Sequence, residues 1–163
     1  VHFVLVGDEI DDGNAVLRTQ IDDLGIATRV HMLGQREDVP RLTAGLDIAT
    51  CCSLGEGFPN VVGEAMACAT PCVVTDVGDA ARIVGDTGIV VPAADSRALA
   101  EGWRKLISKG TAGRSAMGEH ALARIRSRYS LASCVERYQN FYEDLHNRAM
   151  GRIVRQVESH GPS

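Results

Sequence analysis

Aromatic side chains are scarce: three Phe, three Tyr and one Trp in 163 residues, 4% of the chain. So few rings leave little for exposed bases to stack on. The 17 Lys and Arg against 21 Asp and Glu, a net charge of −4, leave no general basic face for a phosphate backbone. No nucleic-acid partner is expected. Nowhere do apolar residues run for the roughly 18 to 20 positions that a membrane span needs. The start also lacks a basic segment followed by an apolar core and a small-residue cleavage site. A soluble, cytoplasmic chain without a transmembrane segment is the expectation. CxxC spacing is missing too: Cys51, Cys52, Cys68, Cys72 and Cys134 are an odd set, three of them in apolar runs where cysteine acts as a small hydrophobe. A reducing compartment fits that usage. No histidine stands near Cys68 and Cys72 to complete a metal site, so these two are expected to be buried structural thiols, and no metal is expected. His2, His31, His120, His146 and His160 are scattered and read as structural or surface residues.

What is present is an alternation. Apolar residues make up 45% and charged residues 23%, the balance of a folded globular domain, and the length suits one such domain. Short apolar runs at 1–6, 29–33, 48–52, 72–75 and 88–92 are separated by amphipathic segments, which predicts a parallel sheet with helices on its faces. Val16, Leu17, Ile21 and Leu24 recur at helical spacing, and Gly25 stands where a left-handed helix end is common. Further helices are expected over 38–46 and 60–68, the latter ended by Thr70-Pro71, with turn and short helix over 78–84. From 95 to 148 the pattern is helical throughout. Leu99, Trp103, Leu106 and Ile107 form one apolar face, Met117, Ala121, Leu122 and Ile125 a second, and Leu131, Val135, Tyr138, Phe141, Tyr142 and Leu145 a third. The polar residues 150–163 read as a tail with weak periodicity, frayed from 151 onward.

The informative stretch is Leu54-Gly55-Glu56-Gly57-Phe58-Pro59-Asn60-Val61-Val62-Gly63-Glu64-Ala65-Met66-Ala67, which joins a strand to a helix through a glycine-rich turn. A helix start leaves unpaired N–H groups and carries the positive end of the macrodipole, so it can hold a diphosphate without a lysine. Gly55 and Gly57 let backbone approach a ligand closely, and Pro59 gives up a donor that would have been orphaned anyway. Phe58, Asn60 and Val61 remain as donors. Glu64 lies one helical turn past Asn60, placed to accept two hydrogen bonds from vicinal hydroxyls such as those of a ribose. The plainer alternative is also open: glycines that only turn the chain, Glu64 as a solvated residue near the positive helix end, and Glu56 as a loop carboxylate.

The same stretch resembles the Glu-x7-Glu signature of the retaining GT-B glycosyltransferases known as glycosyl transferases group 1. The likeness extends over residues 1–145, through Leu5-Val6-Gly7-Asp8, Val30-His31-Met32-Leu33-Gly34-Gln35-Arg36-Glu37-Asp38-Val39-Pro40, Met66-Ala67-Cys68-Ala69-Thr70-Pro71, Thr75-Asp76-Val77-Gly78 and Thr87-Gly88-Ile89-Val90-Val91-Pro92. It implies an α/β fold, a Rossmann-like doubly wound parallel sheet flanked by helices, forming the C-terminal half of a GT-B enzyme. It implies that Glu56 faces the donor sugar near the reacting carbon as the catalytic-site carboxylate, and that Glu64 binds the ribose hydroxyls. Gly57, Phe58, Asn60 and Val61 would line the sugar and diphosphate, with amides from the last three. Arg36 through its backbone and Asp38 through its side chain would sit at the base; Asp38 as a simple helix-start residue is the equal alternative.

The chain departs from the family pattern at Glu9 and Pro59, where glycine is frequent, and at Arg82, where glutamate is frequent. Relatives begin this domain with a strand and helix bearing an Arg and a Lys that neutralise the diphosphate, and this sequence reads as starting after them. Residues 1–149 are therefore expected to form a donor-binding domain without its first strand and helix, belonging to a parent enzyme with a separate N-terminal acceptor domain. In the order 3-2-1-4-5-6 the missing strand is central. Residues 1–6 would then pair with the strand at 48–52, or receive a strand from another chain, or leave an open edge. The expected activity of the parent is transfer of a sugar from a nucleoside diphosphate sugar to an acceptor hydroxyl, with no cofactor and no required metal. Peripheral membrane association of the parent is compatible with this. Two other readings share the fold: a catalytically silent nucleotide-binding module, and a GT-B sugar-nucleotide epimerase fragment.

Overall fold

The computed structural model describes residues 1–158, with side chains to Met150. It divides into two compact units, Val1–Leu42 and Thr43–Ser163. Residues 159–163, including His160, lie outside the described residues.

In the first unit, strand β1 (Phe3–Leu5) pairs in parallel with β2 (Val30–Met32), in the register Phe3↔Val30, Val4↔His31 and Leu5↔Met32. This ladder was not among the outcomes weighed for residues 1–6, and the direct pairing with the strand at 48–52 is not formed: among the described residues β1 pairs with β2, and the strand at 48–52 with that at 72–75. Helix α1 (Ala15–Asp23) starts where the Asn14 side chain accepts from the Leu17 amide. It ends just before Gly25, whose φ of +65° is the left-handed turn expected there. Glu9 has φ +56°, a conformation that favours glycine, which gives the family's usual glycine at this turn a backbone reason. His2 and His31 stack at 5.3 Å beside the ladder, with Nδ1 and Nε2 3.1 Å apart.

Helix α2 (Val39–Ala44) crosses the boundary between the units. The second unit then holds β3 (Ala49–Cys51), α3 (Asn60–Ala67), β4 (Cys72–Thr75), α4 (Ala80–Val84), a 3-10 turn (Gly85–Thr87) and β5 (Ile89–Val91). Helices α5 (Ser96–Ser108), α6 (Gly110–Tyr129) and α7 (Leu131–Glu158) complete it. Its sheet is parallel in the order β3-β4-β5, so β4 is central. All four β4 residues are buried, as a strand covered on both faces requires. Alternation sends Val73 to one side, with Val91 and Leu106 of α5, and Cys72 and Val74 to the other, with Val62, Ala65 and Met66 of α3, Ile83 and Val84 of α4 and Ala121 of α6. Helices thus lie on both faces of this sheet. Met66, Ile83 and Leu106 are completely buried, each stabilising the fold by roughly 1.5–3 kcal/mol through lost contact with water.

Two backbone devices seat α3. Its C-terminus closes with the Thr70 amide bonded to the Ala65 carbonyl and the Ala69 amide to the Met66 carbonyl, and Ala69 takes φ +55° where glycine is usual. Helix α6 passes over that turn at Gly118, where a Cβ would collide with the Ala69 carbonyl oxygen.

The C-terminal helix and one thiol differ in part from what the sequence suggests. The helix predicted from Leu131 onward forms, but its apolar face is not covered among the described residues: Leu131, Val135, Tyr138, Phe141, Tyr142 and Leu145 are all exposed. Helical periodicity fixes which residues share a face and is silent on what covers it. Helix α7 also continues through residues 151–158, part of the segment expected as a frayed tail. Among the thiols, Cys51 and Cys72 are buried, Cys68 and Cys134 are half-buried and Cys52 is exposed. Cys68 is therefore less enclosed than expected, because it caps α3 rather than facing the core.

Candidate functional site

The glycine-rich turn leaves the carboxyl end of β3 and enters α3, as the sequence pattern predicts. Pro59 is the N-cap, with φ −72° and ψ 96°, and no side chain caps the helix start. The Val62 amide bonds back to the Pro59 carbonyl at 3.1 Å. Asn60 and Val61 thus present the first amides of an eight-residue helix with no acidic residue in its first turn. That end is electropositive and open to an anion. Pro59 itself is buried and fixes where the helix begins.

Neither Gly55 nor Gly57 has a left-handed φ, and a Cβ on either would meet no atom within 4 Å. The fold itself therefore has no need of glycine at these two positions. Gly78 is different. It has φ +51°, and a Cβ there would run into the carbonyl oxygens of Glu56 and Gly57. The Asp79 amide donates to the Gly57 carbonyl at 2.9 Å, so the turn after β4 clamps the loop that carries Glu56.

Glu56 is exposed, and its Oε1 accepts from the Ser53 hydroxyl at 2.7 Å. Ser53 is held in turn, for the Thr75 hydroxyl at the end of β4 donates to the Ser53 carbonyl at 2.7 Å. Glu64 lies on the exposed side of α3, one turn beyond Asn60, and no ion pair or hydrogen bond engages its carboxylate among the described residues. Phe58 is 47% exposed, and its ring tilts against Tyr129 at 6.0 Å. Glu56, Gly57, Phe58, Asn60, Val61 and Glu64 therefore share one end of the second unit. Sequence reasoning did not single out Ser53, Thr75 or Gly78. For Ser53 the signal lay in the hydroxyl three residues before Glu56; Thr75 and Gly78 stood within the motif Thr75-Asp76-Val77-Gly78, but nothing in the sequence tied them to the Glu56 loop, since they arrive from a different strand and turn.

Arg36 and Asp38 belong to the first unit and form a two-pronged ion pair, Nε to Oδ1 at 2.9 Å and Nη2 to Oδ2 at 3.1 Å. Arg41 reaches Oδ2 at 3.2 Å. The Arg36 hydrogen bond holds the Asp38 carboxyl below its ordinary range and raises the guanidinium in return. The Asp38 carbonyl accepts from the Arg41 and Leu42 amides, so this residue also opens α2. Arg36 thus donates to both oxygens of the Asp38 carboxylate, and Arg41 adds an ion pair at Oδ2. At Arg82 the departure from glutamate yields a surface ion pair with Asp79 at 3.3 Å. Among the described residues no helix is long and apolar enough to cross a membrane, and no cluster of three or more His, Cys, Asp or Glu could hold a metal.

Comparison with known proteins follows the same outline. The family model described as glycosyl transferases group 1 matches residues 1–109. The N-acetyl-alpha-D-glucosaminyl L-malate synthase of Bacillus anthracis is 32% identical over 127 residues, covering 77% of this chain and 33% of that protein. The D-inositol 3-phosphate glycosyltransferase of Corynebacterium jeikeium is also 32% identical, over 139 residues, 82% of this chain and 33% of its own length. The chain thus spans about a third of the length of these curated relatives. Crystal structures of Anabaena Alr3699/HepE with UDP and with UDP-glucose superpose with TM-scores of 0.78 and 0.76 at 29% identity, covering 88% of this chain and 41% of that one. The structural neighbours are GT-B glycosyltransferases, and the parallel sheet flanked by helices agrees with the expected fold class.

Proposed function

The chain belongs to the glycosyl transferases group 1 family, and from that premise we propose that it is the donor-binding part of an enzyme that transfers a sugar from a nucleoside diphosphate sugar to an acceptor hydroxyl. The observation that supports this best is the open start of α3, entered through glycines that the fold does not need and flanked by two carboxylates eight residues apart. The amides of Phe58, Asn60 and Val61 take the diphosphate, and because the helix end is already electropositive it stabilises the charge that grows on the departing group. Glu64 accepts from both ribose hydroxyls. Glu56 orients the donor sugar by hydrogen bonding. No residue is assigned to a metal, since the helix end supplies the positive pole.

The reaction runs with retention at the sugar carbon: the acceptor attacks the face that the diphosphate leaves, and a diphosphate oxygen takes the acceptor proton. UDP and UDP-glucose, the ligands of the Anabaena neighbour, serve as probes. In the full-length protein, Glu64→Ala should weaken UDP about ten- to a hundredfold. That is the loss of two hydrogen bonds to a charged group, reduced for an exposed site. Glu56→Ala should leave UDP nearly untouched and weaken UDP-glucose. Calorimetric titration of both variants reads this directly, and wild-type UDP affinity in Glu64→Ala would defeat the ribose assignment.

A further inference from the structure

Between the end of β3 and the turn after β4 lies a set of hydrogen bonds that the chemistry above does not use, and all of it converges on one carboxylate. A serine has one proton to give, and Ser53 gives it to Glu56 Oε1 at 2.7 Å. The Ser53 oxygen is then left as an acceptor, and the buried Cys51 thiol, 3.7 Å away, is the group beside it that can donate. Behind Ser53, the Thr75 hydroxyl donates to the Ser53 carbonyl at 2.7 Å. Thr75 is 4% exposed and sits on the central strand, the most enclosed part of the second unit. On the other side of Glu56 the loop is held by the Asp79 amide on the Gly57 carbonyl and by the absence of a side chain at Gly78. Both flanks of an exposed loop carboxylate are thus tied to β4 and the turn that follows it.

From this geometry we infer that Ser53 is a positioning residue for Glu56, that Thr75 anchors Ser53 to the core strand, and that the pair fixes the rotamer in which Glu56 meets the donor sugar. This rests on the assignment of Glu56 to the sugar. An exposed glutamate freezes several rotatable bonds when it binds a ligand, at a cost in rotamer freedom. Ser53 has already frozen them, and Glu56 keeps its second oxygen, Oε2, for the sugar hydroxyls. Holding the group before the ligand arrives is what turns a flexible surface carboxylate into part of a site. Ser53 itself touches the nucleotide nowhere in this scheme, so its effect should be confined to the sugar.

The test titrates full-length wild type, Ser53→Ala, Ser53→Thr, Glu56→Ala and the Ser53→Ala/Glu56→Ala double variant with UDP and with UDP-glucose, with a thermal melt of each. Ser53→Ala is expected to keep UDP affinity and melting temperature while the ratio of UDP-glucose to UDP affinity falls about tenfold, the size of one hydrogen bond to a charged group. Ser53→Thr keeps the hydroxyl and should restore the ratio. In the double variant the ratio should fall no further than in Glu56→Ala alone. If Ser53→Ala weakens UDP and UDP-glucose together, or melts early with both lost, Ser53 only shapes the loop and positioning is overturned. A normal ratio in Ser53→Ala beside a lowered one in Glu56→Ala overturns positioning and leaves the sugar assignment standing. Should Glu56→Ala itself keep the wild-type ratio, the sugar assignment fails and takes the role of Ser53 with it.

Discussion

Two glycines around the same loop should respond to alanine in opposite ways. Gly78 holds φ +51°, which costs an alanine roughly 1–2 kcal/mol before any contact is counted. Its Cβ would also be driven into the carbonyl oxygens of Glu56 and Gly57, so the loop must move away and the Asp79 to Gly57 hydrogen bond, worth about 1 kcal/mol, is put at risk. Gly78→Ala is expected to destabilise the protein by about 2–4 kcal/mol, a fall of several degrees in melting temperature for a chain of this size. Gly57→Ala meets no atom within 4 Å and needs no left-handed backbone. It should be neutral or gain up to about 1 kcal/mol by restricting the unfolded chain. Under the proposed binding of a diphosphate at the start of α3, the added methyl group would crowd the ligand, so UDP affinity should drop in a protein that is as stable as wild type. Urea unfolding and UDP titration of both variants separate the cases. Wild-type UDP affinity in Gly57→Ala would refute the reasoning that glycine serves the ligand there, and an undiminished unfolding midpoint in Gly78→Ala would refute the clamp.

At the far end of the same helix, Ala69→Gly should stabilise by about 1 kcal/mol in urea unfolding, since φ +55° strains alanine and suits glycine. A loss of stability would mean that the methyl group packs too well to spare. Burial pushes the Cys72 thiol from 9.0 up to about 12, with Cys51 adding to the rise. A group raised on folding contributes stability that is complete below pH 9, where neither state ionises, and is lost as pH climbs toward 12 while the unfolded thiol deprotonates. The unfolding free energy should therefore fall more steeply above pH 9 in wild type than in Cys72→Ala, by up to about 1.4 kcal/mol per pH unit. Equal slopes would place Cys72 in water.

How legible was this protein from its sequence? The run Cys72-Val73-Val74-Thr75 has no polar alternation, and it became the central strand with the bounds the pattern implied, because a strand buried on both faces has no room for charge. Pro59 behind a glycine-rich turn marked the start of α3 within a residue, and Gly25 marked the end of α1, since both depend on local dihedral preferences alone. Glu56 and Glu64 could be paired from spacing because one helix and its entry loop hold both. What the helical pattern of α7 left undetermined was whether anything covers Leu131, Tyr138 and Phe141, for a periodic stripe names a face and not a neighbour. Arg36 likewise engages both oxygens of the Asp38 carboxylate, which spacing alone had left free. Ser53, Thr75 and Gly78 sit on three different segments, and only the parallel pairing of β3 with β4 brings the hydroxyl of one and the bare backbone of another against the loop of Glu56. Local rules act over a few bonds and can be read from the chain, whereas the placing of these three groups depends on strand register, which long-range burial decides.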